Sequence, residues 1–425
     1  MAAQDTRGNG SGPGVPARGA TEERPVPYMM TSRIAQLHAG STPVKVQAYA
    51  ARAREYFGPF LRETVNPGAA ERDRSGTPIP NDIFRRSAEL GLLPYSLPRE
   101  LGGLEANALE WGLVLEEVGY LCEDGTFPYF LSVRATVAAT LYESKRPDII
   151  DRYARPMARG ERFGSFAFTD GADPFSFRTT ARRAGDGAFI LNGQKQFTTG
   201  GLTADCYLVY ARDERTDDIL VFIVERDDAG VTLGPLDVHG CRTAGLCTLG
   251  LDQVRVPAER VLAAADGLSH SQIFLNRRRV LLVAGFFGRM RAMLERCIAH
   301  LGSTIRYGRP LTEMQAVQAS IGRMTASVEA CRAVLHTALA WQASGASDPI
   351  WDPNITAAKY FITEQLNAFC SDLFRLAGGF GYTAESGFGR FQRDVAALFA
   401  GAGAQGTLEV DLGVMAIQRL TGGSP

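Results

Sequence analysis

No run of apolar residues in this 425-residue chain approaches the roughly 20 that a membrane-spanning helix needs. The start of the chain also lacks the apolar stretch of a secretory signal. Residues 1–26 are rich in Gly, Pro, Arg and Ser, a composition that predicts a disordered tail kept in the mature protein. Neither sign of charge is in excess. The net charge is −1, so no bulk field draws the chain to nucleic acid or to an anionic membrane. The seven cysteines (Cys122, Cys206, Cys241, Cys247, Cys297, Cys331 and Cys370) are dispersed, and no CxxC occurs. That pattern argues against a disulfide framework or a metal site and for reduced thiols in a cytoplasm. The five histidines are isolated. No GxGxxG and no GxxxxGK[ST] is present, which argues against a Rossmann or P-loop nucleotide site.

What the chain does have is length and pattern. Its length supports two or three domains with a sizeable core. Apolar residues make up 45% and charged ones 21%, ordinary for a globular enzyme. Residues 27–162 read as helical, with apolar spacing of three to four over Lys45–Glu63 and Ala106–Leu121. Pro78–Asn81 reads as a helix start with Asn81 as N-cap. Residues 163–268 change pattern. Short β-rich stretches (Phe189–Leu191, Cys206–Ala211, Ile219–Glu225, Gln253–Val256) alternate with turn residues. Their close spacing leaves no room for βαβ crossovers, so an antiparallel β domain is predicted. Residues 269–425 return to helix over Arg279–His300, Thr312–Gly345 and Ile355–Ala377, followed by glycine-rich turns at Gly378–Tyr382 and Gly401–Gly403.

The order helices, strands, helices narrows the choice of folds. With the motifs it carries, it resembles the acyl-CoA dehydrogenase family of flavoproteins from about Pro80 to Leu420. Leu97–Leu104 resembles the family's V-P-E-E-Y-G-G-L, and Leu115–Gly119 its L-E-E-L-G. Ser165–Asp170 resembles x-A-L-T-E-P, although the following A-G-S-D is shortened to Gly171–Ala172–Asp173. Leu191–Gly201 resembles L-N-G-x-K-x-[FW]-I-T-N-G, and Val254–Pro257 is V-R-V-P. Arg306–Pro310 with Gln315, then Gly378–Tyr382 and Arg390–Asp394, resemble R-x-x-F-G-x-P…Q, G-G-x-G-Y and R-x-x-R-D.

The resemblance implies an α+β fold: an N-terminal helical domain, a middle antiparallel β domain and a C-terminal four-helix bundle. It implies FAD as cofactor and an acyl-CoA or acyl-carrier-protein substrate. It also implies a homodimer or homotetramer that shares its FAD sites. By the same resemblance Phe168 and Thr169 hold the flavin pyrimidine edge, Phe197 packs on the ring and the Thr199 hydroxyl faces N5. Arg306, Gln315, Arg375, Gly378, Gly379 and Thr407 fall at positions that contact the rest of FAD. Arg134 falls on a helix that lines the acyl pocket, where it either reads a polar substrate group or pairs with Glu116 or Glu117. Asn276 and Arg279 complete the expected substrate-binding set.

The departures matter as much. The family's reaction removes an α-proton from a thioester, and a carboxylate is the natural base for it. Here the Glu of Y-E-G-T falls on Gln405, or on Ala402 when the segment after Arg393–Asp394 is counted without a gap. Members with the base on another helix carry it before the Arg of L-x-x-E-R, and Arg278 stands there. Glu409 and Asp411 follow the motif without matching the base. The usual Arg before F-G is Thr304. Three readings remain open at this level: a thioester dehydrogenase with a replaced base, a flavin monooxygenase on the same fold, and a non-catalytic subunit.

Overall fold

The computed structural model describes residues 43–171 and 177–421, with side chains from residue 48. The tail reading of residues 1–26 and the shortened Ala172–Asp173 lie outside the described residues. Helices α1 (Pro43–Phe60), α2 (Asn81–Glu89), α3 (Ala108–Leu121) and α4 (Thr126–Glu143) form the N-terminal part. The start of α3 is a capping box. The Asn107 side chain accepts from Glu110 N at 3.1 Å, and Glu110 accepts from Asn107 N at 3.0 Å. Asn81 is not a cap. It is the first residue of α2, and its amide reaches sideways to the Thr203 carbonyl at 2.9 Å.

The β domain is an eight-stranded sheet: β1 (Gly164–Ala167), β2 (Thr180–Arg183), β3 (Phe189–Thr198), β4 (Cys206–Asp213), β5 (Ile219–Glu225), β6 (Val231–Pro235), β7 (Cys247–Val256) and β8 (Val261–Ala263). The order is β6-β7-β3-β2-β4-β5-β8, with β1 also on β4. Most neighbours are antiparallel, but β1 and β2 both pair parallel with β4. The expected antiparallel β domain is thus mainly antiparallel, with two parallel pairs on β4. A parallel pair needs a long return path, and β3 with its flanking turns supplies one without a helix.

Helix α5 (Gly267–Ser303) opens the C-terminal part, followed by α6 (Gln315–Ala343), α7 (Pro353–Tyr382), α8 (Phe388–Ala396) and α9 (Gln405–Thr421). Helices α5, α6 and α7 pack on one another, α3 lies against α5 and α6, and α9 lies on α7. Glycine makes the α3–α5 crossing possible. A Cβ at Gly119 or Gly288 would collide with the facing backbone at Gly285 or Glu116. One apolar core runs through these helices, with Leu115, Val118, Phe286, Met290, Leu335 and Leu366 in it. Burying each such side chain contributes about 1.5–3 kcal/mol.

Charges are also buried at this crossing. Arg291 Nη1 reaches Glu116 at 2.6 Å and Glu117 at 2.7 Å. Arg332 and His336 reach Glu116 at 3.2 and 2.8 Å, and Arg54 reaches Glu117 at 2.7 Å. Burial alone would raise the Glu116 carboxyl, but Arg291, then His336 and Arg332, outweigh it and hold it below the usual range. Further along α5, Arg289 and Arg296 meet Glu123 at 2.6 and 2.5 Å. Among the described residues, no helix is long and apolar enough to cross a membrane and no cluster of potential metal ligands occurs.

Candidate active site

The wall built by the β domain begins where β3 leaves the sheet. Phe197 adopts φ 54° and is 58% exposed, which turns its ring out of the sheet. Two residues on, the Thr199 hydroxyl bonds the Tyr129 hydroxyl of α4 at 2.9 Å. Ser165 Oγ donates to the Thr199 carbonyl at 2.6 Å, tying β1 to the same point. Lys195 is buried, ion-paired with Asp170, and donates to the Phe168 carbonyl at 3.0 Å. Burial, opposed by Asp170, brings its pKa down to about 8. Gln196 N donates to the Thr169 carbonyl at 2.7 Å. These bonds hold Phe168 and Thr169 beside Phe197 and Thr199. The Phe168 ring itself is buried in an aromatic stack with Phe166, whose ring lies 4.0 Å from that of Phe274 on α5. What this position offers is therefore backbone.

A second wall comes from α5 and the turn before α9. Its first member, Arg278, is 6% exposed, with its guanidinium 5.2 Å from the Phe274 ring centre and 5.9 Å from that of Tyr129. Arg279 donates to the Ala402 carbonyl at 3.2 Å, to Asn276 at 3.3 Å and to Thr356 at 3.4 Å. It also lies 4.1 Å over the Trp351 ring. Burial, opposed by Asp411, pulls its pKa down to about 10. Asn276 spends its amide on the Asp348 carbonyl at 2.7 Å. Asn276 and Arg279, expected to bind substrate, are thus engaged in holding the Ala402 turn and the start of α7.

Gln405 is buried, and both ends of its amide are used inside the protein. Nε2 donates to the Tyr360 carbonyl and to Glu364, each at 2.9 Å, and Oε1 accepts from Lys359 Nζ at 2.9 Å. Lys359 also donates to the carbonyls of Leu398 at 2.7 Å and Gly403 at 3.0 Å. Three acceptors match the three donors of an ammonium. Burial, helped by Arg279 and opposed by Glu364, pulls the Lys359 pKa down to about 7. In the alternative register Ala402, at φ 55°, presents a methyl group. Glu409 is exposed and accepts from Tyr360 Oη at 2.7 Å.

The remaining expected residues are not bonded to these walls. Arg306 is exposed on the strand pair Ile305–Arg306/Arg309–Pro310 and donates to the neighbouring Ile305 carbonyl. Gln315 is exposed at the start of α6, and Arg375 lies on the surface 3.8 Å from Asp372. Gly378 breaks α7 with φ 55° and ψ −133°, which leaves it and Gly379 exposed. The His300 and Phe380 rings, 4.0 Å apart, bring this break beside the end of α5. Thr407 lies half-buried in the first turn of α9. Arg134 does not pair with Glu116 or Glu117. It is 3% exposed, over the rings of Phe84, Phe130 and Phe163 at 3.8–4.3 Å, and donates to Asn81 and Thr203. Its expected use on a substrate carboxylate is corrected: the cage closes it off. Burial holds its pKa well below the usual value. Beside it on α4, a cavity of about 380 Å³ is lined by Trp111, Ala135, Thr136, Ala139, Arg277 and Leu281, among others.

Three family descriptions match consecutive parts of the chain: acyl-CoA dehydrogenase N-terminal domain over residues 49–161, middle domain over 166–254 and C-terminal domain over 265–418. The chain is 30% identical over 366 residues to a benzylmalonyl-CoA dehydrogenase from Aromatoleum aromaticum, covering 84% of this chain and 95% of that one. A glutaryl-CoA dehydrogenase from Mycobacterium smegmatis, solved with FADH2, superposes with a TM-score of 0.80 at 26% identity, over 90% of this chain and 95% of that one. The prolyl acyl carrier protein oxidase AnaB shares the fold at a TM-score of 0.80 and 24% identity, over 86% of this chain and 98% of its own. With the helix–sheet–helix order and the β3 wall, these matches place the chain in the acyl-CoA dehydrogenase family, as an oxidoreductase.

Proposed function

We propose that this protein is an FAD-dependent oxidoreductase acting on an acyl thioester of CoA or of a carrier protein, and that it works without the family's carboxylate base. The observation that carries this is the second wall. The two places where the resemblance puts a base hold Arg278 and either Gln405 or Ala402. A guanidinium stays protonated and an amide is not basic, so none of them accepts an α-proton. Ordinary dehydrogenation of a simple acyl thioester should then run about 10²–10⁴-fold below that of a member with its base.

The residues present fit a flavin. An exposed aromatic ring at Phe197, a hydroxyl at Thr199 fixed by Tyr129, and the open backbone at Gly378–Gly379 supply a ring face, a hydrogen bond and unhindered amides. FAD, when bound, supplies the hydride acceptor. The protein's own part is placement. Lys195 and Asp170 fix the Phe168–Thr169 backbone, Tyr129 orients Thr199, and Arg278 puts positive charge where the family puts negative. The cavity beside α4 offers room for an acyl group. The relatives are named for acyl-CoA and carrier-protein substrates, which supports the thioester reading. The exposed Tyr382, at the end of α7 just past its break, suits an FAD site shared with a second copy. The vacancy at both base positions also favours a second reading, a flavin monooxygenase, which takes no α-proton.

The test is an absorbance spectrum of the purified protein before and after adding excess FAD. Flavin bands in the blue and near-ultraviolet are expected. A colourless protein that takes up no FAD would overturn the proposal in favour of a non-catalytic subunit.

A further inference from the structure

Arg277, Arg278 and Arg279 are consecutive on α5, and two of them are spent. Arg277 pairs with Glu143 at 2.8 Å. Arg279 holds the Ala402 turn. Arg278 differs. It is more than nine-tenths buried, its Nε has no hydrogen-bond partner, and no carboxylate among the described residues pairs with it. Its surroundings are the rings of Phe274 and Tyr129. Burial lowers its pKa, and the Tyr129 hydroxyl opposes this only in part. On the same helix, Arg289 and Arg291 are equally buried, yet each meets a carboxylate at 2.6 Å. Arg279, also without a carboxylate, is held by three hydrogen bonds to neutral groups.

A buried cation without a counter-charge costs several kcal/mol, so its retention asks for an anion that arrives from outside. Its place says which. Tyr129 bonds Thr199, so the guanidinium stands one side chain away from the hydroxyl expected to face the reacting centre. The phosphates of a CoA or carrier arm are too large and too strongly hydrated for so enclosed a position. A carboxylate matches the planar fork of arginine, which can receive it through two parallel bonds.

We infer that Arg278 is the recognition residue for a carboxylate on the acyl group, so that the site takes short acyl thioesters of dicarboxylic acids. This rests on the thioester reading above and narrows it to a substrate class.

The experiment is a binding titration of the flavin-loaded protein, followed by calorimetry and by the flavin spectrum. The ligands are methylmalonyl-CoA and succinyl-CoA against propionyl-CoA and butyryl-CoA, which share the CoA arm and differ in the carboxylate. The carboxylated pair is expected to bind about tenfold tighter or more, the size of a charge-assisted hydrogen-bonded contact. In Arg278→Gln the ratio of affinities should fall to about one, and in Arg278→Lys it should stay between the two. Equal binding of both classes by the unaltered protein would overturn the inference and leave the thioester reading standing. So would a preference that survives Arg278→Gln. If neither class binds while flavin is present, the thioester reading falls and this inference with it.

Discussion

Helix α5 buries arginines in two ways along its length. Toward its C-terminal end, Arg289, Arg291 and Arg296 meet Glu116, Glu117 and Glu123, which come from α3 and the turn after it. Toward its N-terminal end, Arg278 and Arg279 meet rings, carbonyls and amides, and Lys359 on α7 meets carbonyls and the Gln405 amide. The first set joins the N-terminal part to the bundle. Removing one member would leave charges stranded in the core. The second set lies around the turn before α9, where the proposed reading puts the family's negative charge. The contrast separates cations neutralised by carboxylates from cations held by neutral groups, one of which, Arg278, stands at an expected base position in the proposed reading.

The comparison can be broken most forcefully by unfolding measurements on one variant from each set. Glu116→Gln should destabilise the protein by about 3–5 kcal/mol, because Arg291, Arg332 and His336 lose their shared partner. Arg278→Met removes a buried charge that has no counter-charge and should leave stability unchanged or raise it. The pH dependence follows with a definite sign. The folded-state pKa of Glu116 lies below its unfolded value of 4.5. Its contribution is therefore present above that pH and is lost as the pH falls below it. Acid unfolding should consequently be less steep in Glu116→Gln. Equal losses in the two variants would contradict the division into two sets.

A smaller effect sharpens the same contrast. Gln405→Glu restores a carboxylate at the family position, but Lys359 is already 2.9 Å away, and Glu364 bonds the other end of the amide. The new carboxylate should pair with Lys359 and raise its pKa. Turnover of butyryl-CoA should then change by less than about twofold, far below what a positioned base supplies. A gain of tenfold or more would show that position 405 swings toward the substrate.

Much of the fold was legible because the long helices and the strands β3, β4, β5 and β7 carry regular apolar spacing. The strands β1, β2, β6 and β8 are only three to five residues long and were not separable from loops. The parallel pairs on β4 depend on tertiary placement that alternation does not encode. At the candidate site, Phe197, Thr199 and the residues at the expected base positions could be named from local motifs. Tyr129 could not, because its role depends on a bond across 70 residues. Nor could Lys359, which in sequence looks like a helix-surface charge and only the fold shows as buried. The Arg134 cage draws rings from three segments, Phe84, Phe130 and Phe163, so an arginine expected to face substrate is enclosed instead.

The central claim is that the thioester site has no protein base for an α-proton. The direct measurement is α-hydrogen exchange of butyryl-CoA in D2O, read by mass spectrometry with the flavin-loaded protein at saturating ligand. The unaltered protein should give no exchange above buffer, and Arg278→Glu, which puts a carboxylate at the alternative base position, should give exchange faster by about 10²-fold or more. Rapid exchange by the unaltered protein would contradict the claim and send the search to Asp411 or Glu409 for the base.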